Sequence, residues 1–333
     1  MIRKLTFRLT LYMFFSRETL NPSDQAIESI TTSINSLWID SKNLEDDSIS
    51  DKIEAEKKDL LLQLGRIMNM DVEEGEKNPL NIIIPAYETL WRVVLRCFLE
   101  IRFRASVEQR QNYRDTAIKF FREPHPTNFI VEKNESPSFA AIIKEALRLY
   151  PPTKRIYRLI DGETIRIEVE KIQRDPTTWG LDSTEFKPSR WQSLEPNQSN
   201  YLPFGAGKFQ CPAQHEVAPM MIAVLISVLI NQIGDGYVIS EDFDSGPLSG
   251  ERDAFADLEL MVREAHSTEV FGRNSAEFSL VYYVASDQCL ETWLSTICQI
   301  SLSKKQKKII MIEISILHGD NSSPEVSNRR SRL

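Results

Sequence analysis

Residues 201–213 read YLPFGAGKFQCPA, and this stretch does most to decide the fold. Two glycines, Gly205 and Gly207, precede Cys211, and the sequence after the cysteine becomes strongly apolar. Glycine permits tight turns and close backbone approaches that other residues resist. The pattern predicts a turn that ends at a cysteine and leads into a buried helix at 213–233.

A cysteine that directly precedes a helix has a chemical use. The helix points its free N–H groups and the positive end of its dipole at the sulfur, which favours the thiolate. A thiolate on such a loop can bind a metal, including the iron of a haem. Taken alone, a glycine-rich turn that ends in a cysteine is most often just a turn, so the surrounding sequence has to decide between the two interpretations.

Upstream of this turn, the sequence KEALRLYPP predicts a helix over 139–150 that ends at two prolines. Glu145 and Arg148 are three residues apart on it, so they face the same side and can pair. On a protein surface such an ion pair would contribute little. A second arginine, Arg190, follows in the sequence EFKPSRW.

These elements, in this order, resemble the cytochrome P450 superfamily in its fungal form. The family has a Glu-x-x-Arg helix, then a meander, here 174–200 with DPTTWG and FKPSRW, then a cysteine loop, here 203–213. The resemblance implies a mainly α fold with small β-sheets, an α+β class, corresponding to the C-terminal part of the cytochrome P450 fold. It also implies a haem-thiolate monooxygenase in which Cys211 is the axial ligand of the haem iron.

The resemblance assigns roles to further residues. The sequence IIIPAYETLWR at 82–92 is similar to the family's long central helix, here about 81–106, where an acid–threonine pair helps to relay protons. That pair would be Glu88 and Thr89, although a Glu-Thr pair in a buried helix also has a purely structural interpretation. Pro85 predicts a local break or kink in this helix. The resemblance also implies a set of cofactor contacts, in which Arg155 faces a haem propionate: Cys211, Arg155, Phe204 and Gly207. It further implies a structural triad behind the haem: Glu145, Arg148 and Arg190.

The activity implied by the family is insertion of oxygen from O2 into a small lipophilic organic substrate, with a place in secondary metabolism. The implied cofactor is heme b (iron protoporphyrin IX), with electrons from NADPH delivered by NADPH-cytochrome P450 reductase. One alternative is a truncated, catalytically inactive remnant, or the product of a gene whose ends are wrongly assigned, that binds haem without turnover. Another is an interaction protein that works through its tail, where a basic cluster occupies 304–308.

The expected organisation is a partial cytochrome P450 domain over 1–264 followed by an unrecognised tail over 265–333. Only 81 residues precede Ile82, whereas a long segment precedes the central helix in the family, so an N-terminal truncation is expected. Short strands are predicted near 155–159 and 164–169. The tail is expected to be short and α/β-like or disordered, with its last dozen residues disordered.

The amino-acid composition argues against some classes of function. The 333 residues are 41% hydrophobic and 26% charged, which is ordinary globular composition. A net charge of −8 argues against binding nucleic acid, which depends on neutralising phosphates. Four cysteines without a C-x-x-C pair predict neither a disulfide scaffold nor a zinc site. Full-length family members imply the cytosolic face of the endoplasmic reticulum membrane, but no stretch here reaches the ~20 apolar residues of a transmembrane anchor, so a cytoplasmic location is expected.

Overall fold

The structure is a computed structural model, and it describes most of the chain before residue 263. The described residues are 1–15, 22–40, 47–69, 72, 78–130, 136–193, 200–207, 210–215, 217–240, 246 and 258–262. The predicted tail, with its basic cluster, lies outside them.

The described chain is mainly helical with two small antiparallel sheets, which confirms the predicted fold class. The helices are α1 Ile2–Phe14, α2 Asp24–Asp40, α3 Asp47–Met68, α4 Leu80–Leu99, α5 Val107–Arg122, α6 Pro126–Ile130, α7 Phe139–Leu149, α8 Val169–Gln173, α9 Pro176–Trp179, α10 Arg190–Ser193 and α11 Val217–Gln232. The strands are β1 Ile156–Ile160, β2 Glu163–Ile167, β3 Tyr237–Ile239 and β4 Leu260–Val262.

The chain divides into two compact units. The first contains Ile2–Trp91 and Ala206–Ala218, and the described part of the second contains Arg92–Gly205 and residues 219–262. The proposed extent of a single domain over 1–264 stays a prediction.

In the first unit, α2 forms where the apolar spacing predicted a helix. Ile27, Ile30 and Ile34 are buried on one face, and Ser23 Oγ accepts a hydrogen bond from the backbone N–H of Ala26 at the helix start. Among the described residues, no helix is both long enough and apolar enough to cross a bilayer.

The sequence predicted a local break or kink at Pro85, and helix α4 continues through this residue without a break. Pro85 has no N–H, so it gives no helical hydrogen bond to the carbonyl of Asn81. The backbone becomes irregular only later, in a π-helix over Glu100–Arg104 that directly follows α4.

In the second unit, α5 was not predicted, although its start carries a sequence signal. Ser106 Oγ accepts from the N–H of Gln109, and the Gln109 side chain accepts from the N–H of Ser106, which is a complete capping box. The Glu-x-x-Arg helix is α7, close to its predicted bounds, and β1 pairs with β2 antiparallel from Ile156 opposite Ile167.

Helix α11 begins later than predicted, at Val217 instead of residue 213. A short 3₁₀ turn, Pro212–Gln214, precedes it, closed by a hydrogen bond from Gln214 N to Cys211 O of 3.2 Å. Residues 221–230 of α11 are all buried, which agrees with the interpretation of the apolar run as a core helix.

Candidate functional site

Helix α7 carries the two charged residues that the sequence singled out. Ser138 caps its start by accepting the N–H of Ala141 at 3.2 Å. Glu145 and Arg148 lie less than one turn apart on the helix, and both are 0% exposed. Two charges without contact to water need a complete set of partners, because an unpaired buried charge is costly.

The Glu145 carboxylate receives such a set. Arg148 donates to it from both Nε (2.9 Å) and Nη2 (2.8 Å), in the bidentate arrangement that guanidinium geometry favours. Arg190 donates from Nε at 2.9 Å, which brings the three predicted triad residues together. The backbone N–H of Lys187 and the indole N–H of Trp191 complete the set, each at 3.0 Å.

The remaining donors of Arg148 bind backbone carbonyls at the end of α8 and in the segment that follows it. Nη1 donates to the carbonyls of Gln173 (2.7 Å) and Ser183 (2.6 Å), and Nη2 donates to that of Glu185 (3.3 Å). All five N–H groups of this guanidinium therefore have acceptors. Its face also lies over the ring of Trp179 at 5.0 Å.

Asp182 is a member of this network that the sequence analysis missed. Arg190 Nη1 donates to Asp182 Oδ1 at 3.1 Å and to the carbonyl of Trp179, while Nη2 donates to the carbonyls of Asp182 and Glu185. A hydrogen bond from Lys187, together with Arg190, holds the pKa of Asp182 below its usual value. Two carboxylates therefore balance two arginines at the core of the network.

The arrangement suits a structural role. Every donor of both guanidinium groups is satisfied, and a fully satisfied buried network is rigid. Because its acceptors come from α7, from the end of α8 and from the segment after α8, the network fixes the meander against α7. Its charged groups are occupied by one another and by backbone, as a scaffold requires.

The cysteine loop belongs partly to each unit. Gly205 and Gly207 have φ of +72° and +65°, the left-handed region that glycine adopts easily, so the predicted glycine turn is confirmed. Cys211 lies in the first unit and is half-buried, and burial raises the pKa of its thiol, while a hydrogen bond from the backbone N–H of Ala213 acts in the opposite direction.

The source of that N–H differs from the prediction. Because α11 starts at Val217, the N–H group that reaches the sulfur comes from the intervening 3₁₀ turn. Pro212 has no N–H, so Ala213 is the first residue after Cys211 that can donate. The stabilisation expected from a long helix dipole is accordingly replaced by one local hydrogen bond.

Glu88 and Thr89, in the first unit, have different surroundings. Consecutive residues of a helix do not face each other. Glu88 is buried, and the Asn35 amide, oriented to satisfy its neighbours, donates to Glu88 Oε1 at 3.3 Å and accepts from Arg3 Nη1 at 2.9 Å. Thr89 is half-buried and its hydroxyl donates to the carbonyl of Pro85 at 2.6 Å.

Arg155 and Phe204 lie in the second unit. Arg155 is exposed and donates from Nε to Glu168 Oε2 at 3.2 Å, while Arg166 pairs with the other oxygen of Glu168 at 2.6 Å. Phe204 is half-buried. The Arg155 guanidinium is therefore accessible to an anionic group such as a carboxylate, and its part in cofactor binding stays a prediction.

The described residues contain two free thiols, of which Cys97 is buried in α4 and Cys211 lies on the loop. Across the described ranges, no group of three or more His, Cys, Asp or Glu side chains is arranged to hold a metal ion. His125 and His215 are exposed loop residues. A lone thiolate is a suitable protein ligand for an iron whose other ligands belong to a macrocycle, so Cys211 fits a haem iron.

Comparison with known proteins gives matches to cytochromes P450. The family model described as Cytochrome P450 matches residues 131–232. Similar curated proteins include Cytochrome P450 71A19 of Arabidopsis thaliana, 36% identical over 103 residues, which are 25% of this chain and 21% of that protein. Cytochrome P450 714B3 of Zea mays is 34% identical over 103 residues, covering 27% and 19%.

A fungal protein is among the similar sequences. Cytochrome P450 monooxygenase apdE of Emericella nidulans is 33% identical over 89 residues, covering 27% of this chain and 16% of that protein. The chain thus spans about a fifth of the length of the curated relatives that it matches.

Proposed function

We propose that the chain belongs to a haem-thiolate monooxygenase of the cytochrome P450 superfamily, because the family model of that description matches residues 131–232 and the similar curated proteins are cytochromes P450. The observation that carries the proposal is the buried network around Glu145. It joins Arg148 and Arg190 at hydrogen-bonding distance, inside the matched range that also contains Cys211.

In this proposal, heme b would supply activation of dioxygen and transfer of one oxygen atom to the substrate. Cys211 would hold the iron through its sulfur in the thiolate form. Burial disfavours the free thiolate, and the N–H of Ala213 stabilises it. The two effects together favour a thiol that ionises when a cation binds, since a metal deprotonates the thiol that coordinates it.

The proposed proton-handling groups are the Glu88 carboxylate and the Thr89 hydroxyl. The hydroxyl of Thr89 donates to the Pro85 carbonyl, and its oxygen remains able to accept a proton donor. Glu88 is buried on the same helix, where a carboxylate can take up and release a proton. Arg155 is proposed to bind a propionate, and Phe204 and Gly207 to lie against the ring.

The proposed partners follow from the family. They are NADPH-cytochrome P450 reductase as electron donor, O2, and a small lipophilic substrate, with no nucleic acid. The name of the relative from Emericella nidulans identifies that protein as a monooxygenase, which supports oxygen insertion as the reaction. We also propose secondary metabolism as the context and the endoplasmic reticulum membrane as the location of the complete protein.

The experiment is a haem titration of the expressed chain, with Cys211→Ala as the test variant and Cys97→Ala as the matched control. Cys97 is a second free thiol, fully buried in α4, so its replacement removes a sulfur without touching the loop. We expect one haem per chain in the wild type and in Cys97→Ala, and loss of the thiolate-type absorption in Cys211→Ala. Equal spectra for all three proteins would refute Cys211 as the ligand.

Turnover is measured on the same preparation. Substrate-stimulated NADPH consumption with added reductase supports a monooxygenase. Thiolate-bound haem with no consumption across a panel of lipophilic compounds supports the non-catalytic alternative.

A further inference from the structure

Gln173 is a fully buried residue for which the sequence analysis assigned no role. It ends α8, and its side chain lies between the end of α7 and the segment that leads towards the cysteine. We propose that Gln173 is the positioning residue that fixes the start of this segment, residues 201–205. The consequence for haem retention rests on the function proposed above.

The first contact is with the segment itself. Gln173 Oε1 accepts the backbone N–H of Leu202 at 2.7 Å, which is short for a bond from an amide N–H. The carbonyl of Leu202 in turn accepts the N–H of Gly205 at 3.0 Å. Both backbone polar groups of Leu202 are thus engaged, so fixing its N–H also fixes the turn that begins there.

The second contact is with the end of α7. Gln173 Nε2 donates to the carbonyls of Arg148 (3.0 Å) and Leu147 (3.4 Å). The last four carbonyls of a helix have no partners within it. Here Tyr150 N donates to Ala146 O and Arg174 Nη1 donates to Leu149 O, so Gln173 completes the set.

The primary amide supplies both parts of this double contact. Its oxygen accepts from Leu202 while its nitrogen donates to the helix, whereas the thioether side chain of methionine, of the same length, offers no N–H or O–H donor and only a weak acceptor. The backbone carbonyl of Gln173 also accepts from Arg148 Nη1. The backbone of Gln173 is therefore held by the Glu145 network, and its side chain holds the backbone of Leu202.

Aromatic packing next to Leu202 does not replace this contact. Tyr201 packs edge-on against Trp191 with ring centroids 5.0 Å apart, and its hydroxyl reaches the carbonyl of Lys144 only at 3.5 Å. Ring packing restricts the side chain of Tyr201, whereas the bond to Gln173 sets the backbone of the next residue. The two contacts can be tested separately.

The test uses three variants of the full chain. Gln173→Met keeps the length and loses both contacts, while Gln173→Glu keeps the acceptor for Leu202 and, as a buried carboxyl held neutral by the two carbonyls it faces, one O–H donor to α7. Gln192→Met is the matched control, because Gln192 is exposed in the same unit. The first readout is amide hydrogen exchange in the haem-free protein, at Leu202 and at amides in the middle of α7.

We expect exchange at Leu202 to be about fivefold faster in Gln173→Met, relative to the α7 amides of the same variant, since one hydrogen bond is lost. Protection should persist in Gln173→Glu and in the control. Equal acceleration throughout the unit, or none, overturns the proposal. If Gln173→Met does not fold, Gln173→Glu decides: loss of protection only at Leu202, despite the retained acceptor, also overturns it.

The second readout is the rate of haem loss to an excess of an apoglobin. We expect faster loss and a smaller thiolate-bound fraction in Gln173→Met than in Gln192→Met. If Leu202 is released but haem loss is unchanged, the consequence for haem retention is overturned, while the positioning of residues 201–205 stands. If the wild type binds no haem through Cys211, the proposed function fails, and hydrogen exchange still tests the contact of Gln173 with Leu202.

Discussion

Replacing Glu145 by Gln is the most informative perturbation of the buried network. The substitution preserves shape and removes one negative charge from a cluster in which Arg148 and Arg190 are balanced by Glu145 and Asp182. The amide nitrogen that replaces one carboxylate oxygen also faces donors, because both oxygens accept from N–H groups. At least two hydrogen bonds therefore become donor–donor contacts, because each carboxylate oxygen accepts from two or more N–H groups.

The size of the effect follows from burial. Glu145 and Arg148 are 0% exposed and Arg190 is 3% exposed, so water cannot replace the lost partner. Breaking a buried ion pair by removing one member costs about 3–5 kcal/mol. Such a loss is a large fraction of the roughly 5–15 kcal/mol that stabilises a typical folded domain.

The assay is urea unfolding followed by tryptophan fluorescence, since Trp179 and Trp191 both contact the network. The control is Glu168→Gln, which removes a carboxylate that pairs with two exposed arginines and should leave the unfolding midpoint nearly unchanged. An unfolding free energy reduced by less than about 1 kcal/mol in Glu145→Gln would refute the reasoning. Loss of the cooperative transition would agree with it.

Three further predictions concern charge, backbone and sulfur. The hydrogen bond from Lys187 lowers the folded-state pKa of Asp182. The contribution of the Asp182 carboxylate to folding stability is therefore complete above the ordinary pKa of an aspartate and is lost as pH falls through the folded-state pKa. The stability difference between wild type and Asp182→Asn should therefore be constant down to about pH 5 and close towards pH 2; a constant difference over the whole range would contradict this. Gly207→Ala should cost about 1 kcal/mol from its φ of +65° alone, because no atom of the described residues lies within 4 Å of the added Cβ, and Gly207→Asn should cost less; equal unfolding midpoints for all three proteins would count against the strained turn. Because burial raises the pKa of Cys211, its alkylation by iodoacetamide in the haem-free protein should be slower at pH 7 than that of a free cysteine of pKa about 8.5, and mass spectrometry showing an equal rate would disprove the shift.

Local patterns in the sequence predicted much of the fold. The spacing of Ile27, Ile30 and Ile34 predicted α2, and the two prolines after Tyr150 predicted the end of α7. The turn before Cys211 was predicted from the presence of Gly205 and Gly207 alone, because glycine adopts a positive φ easily. Helix α5 was missed, although its capping box at Ser106 was a readable signal.

The triad was predicted through its resemblance to a family, and the rest of the network was not. Asp182 and Gln173 act through contacts with residues 8 and 29 positions away, along a segment without periodicity. Such contacts depend on how the loop packs, which local spacing does not determine. The start of α11 was misplaced for a local reason, because Pro212 begins a 3₁₀ turn and the helix starts only at Val217.

The most direct test of the central claim is the reduced, carbon-monoxide-bound difference spectrum of the haem-supplemented chain, recorded beside Cys211→Ala. If Cys211 is the ligand, we expect a thiolate-type Soret band in the wild type that is absent from the variant. A band typical of a protonated or displaced thiol in the wild type, or no haem binding by either protein, would contradict it.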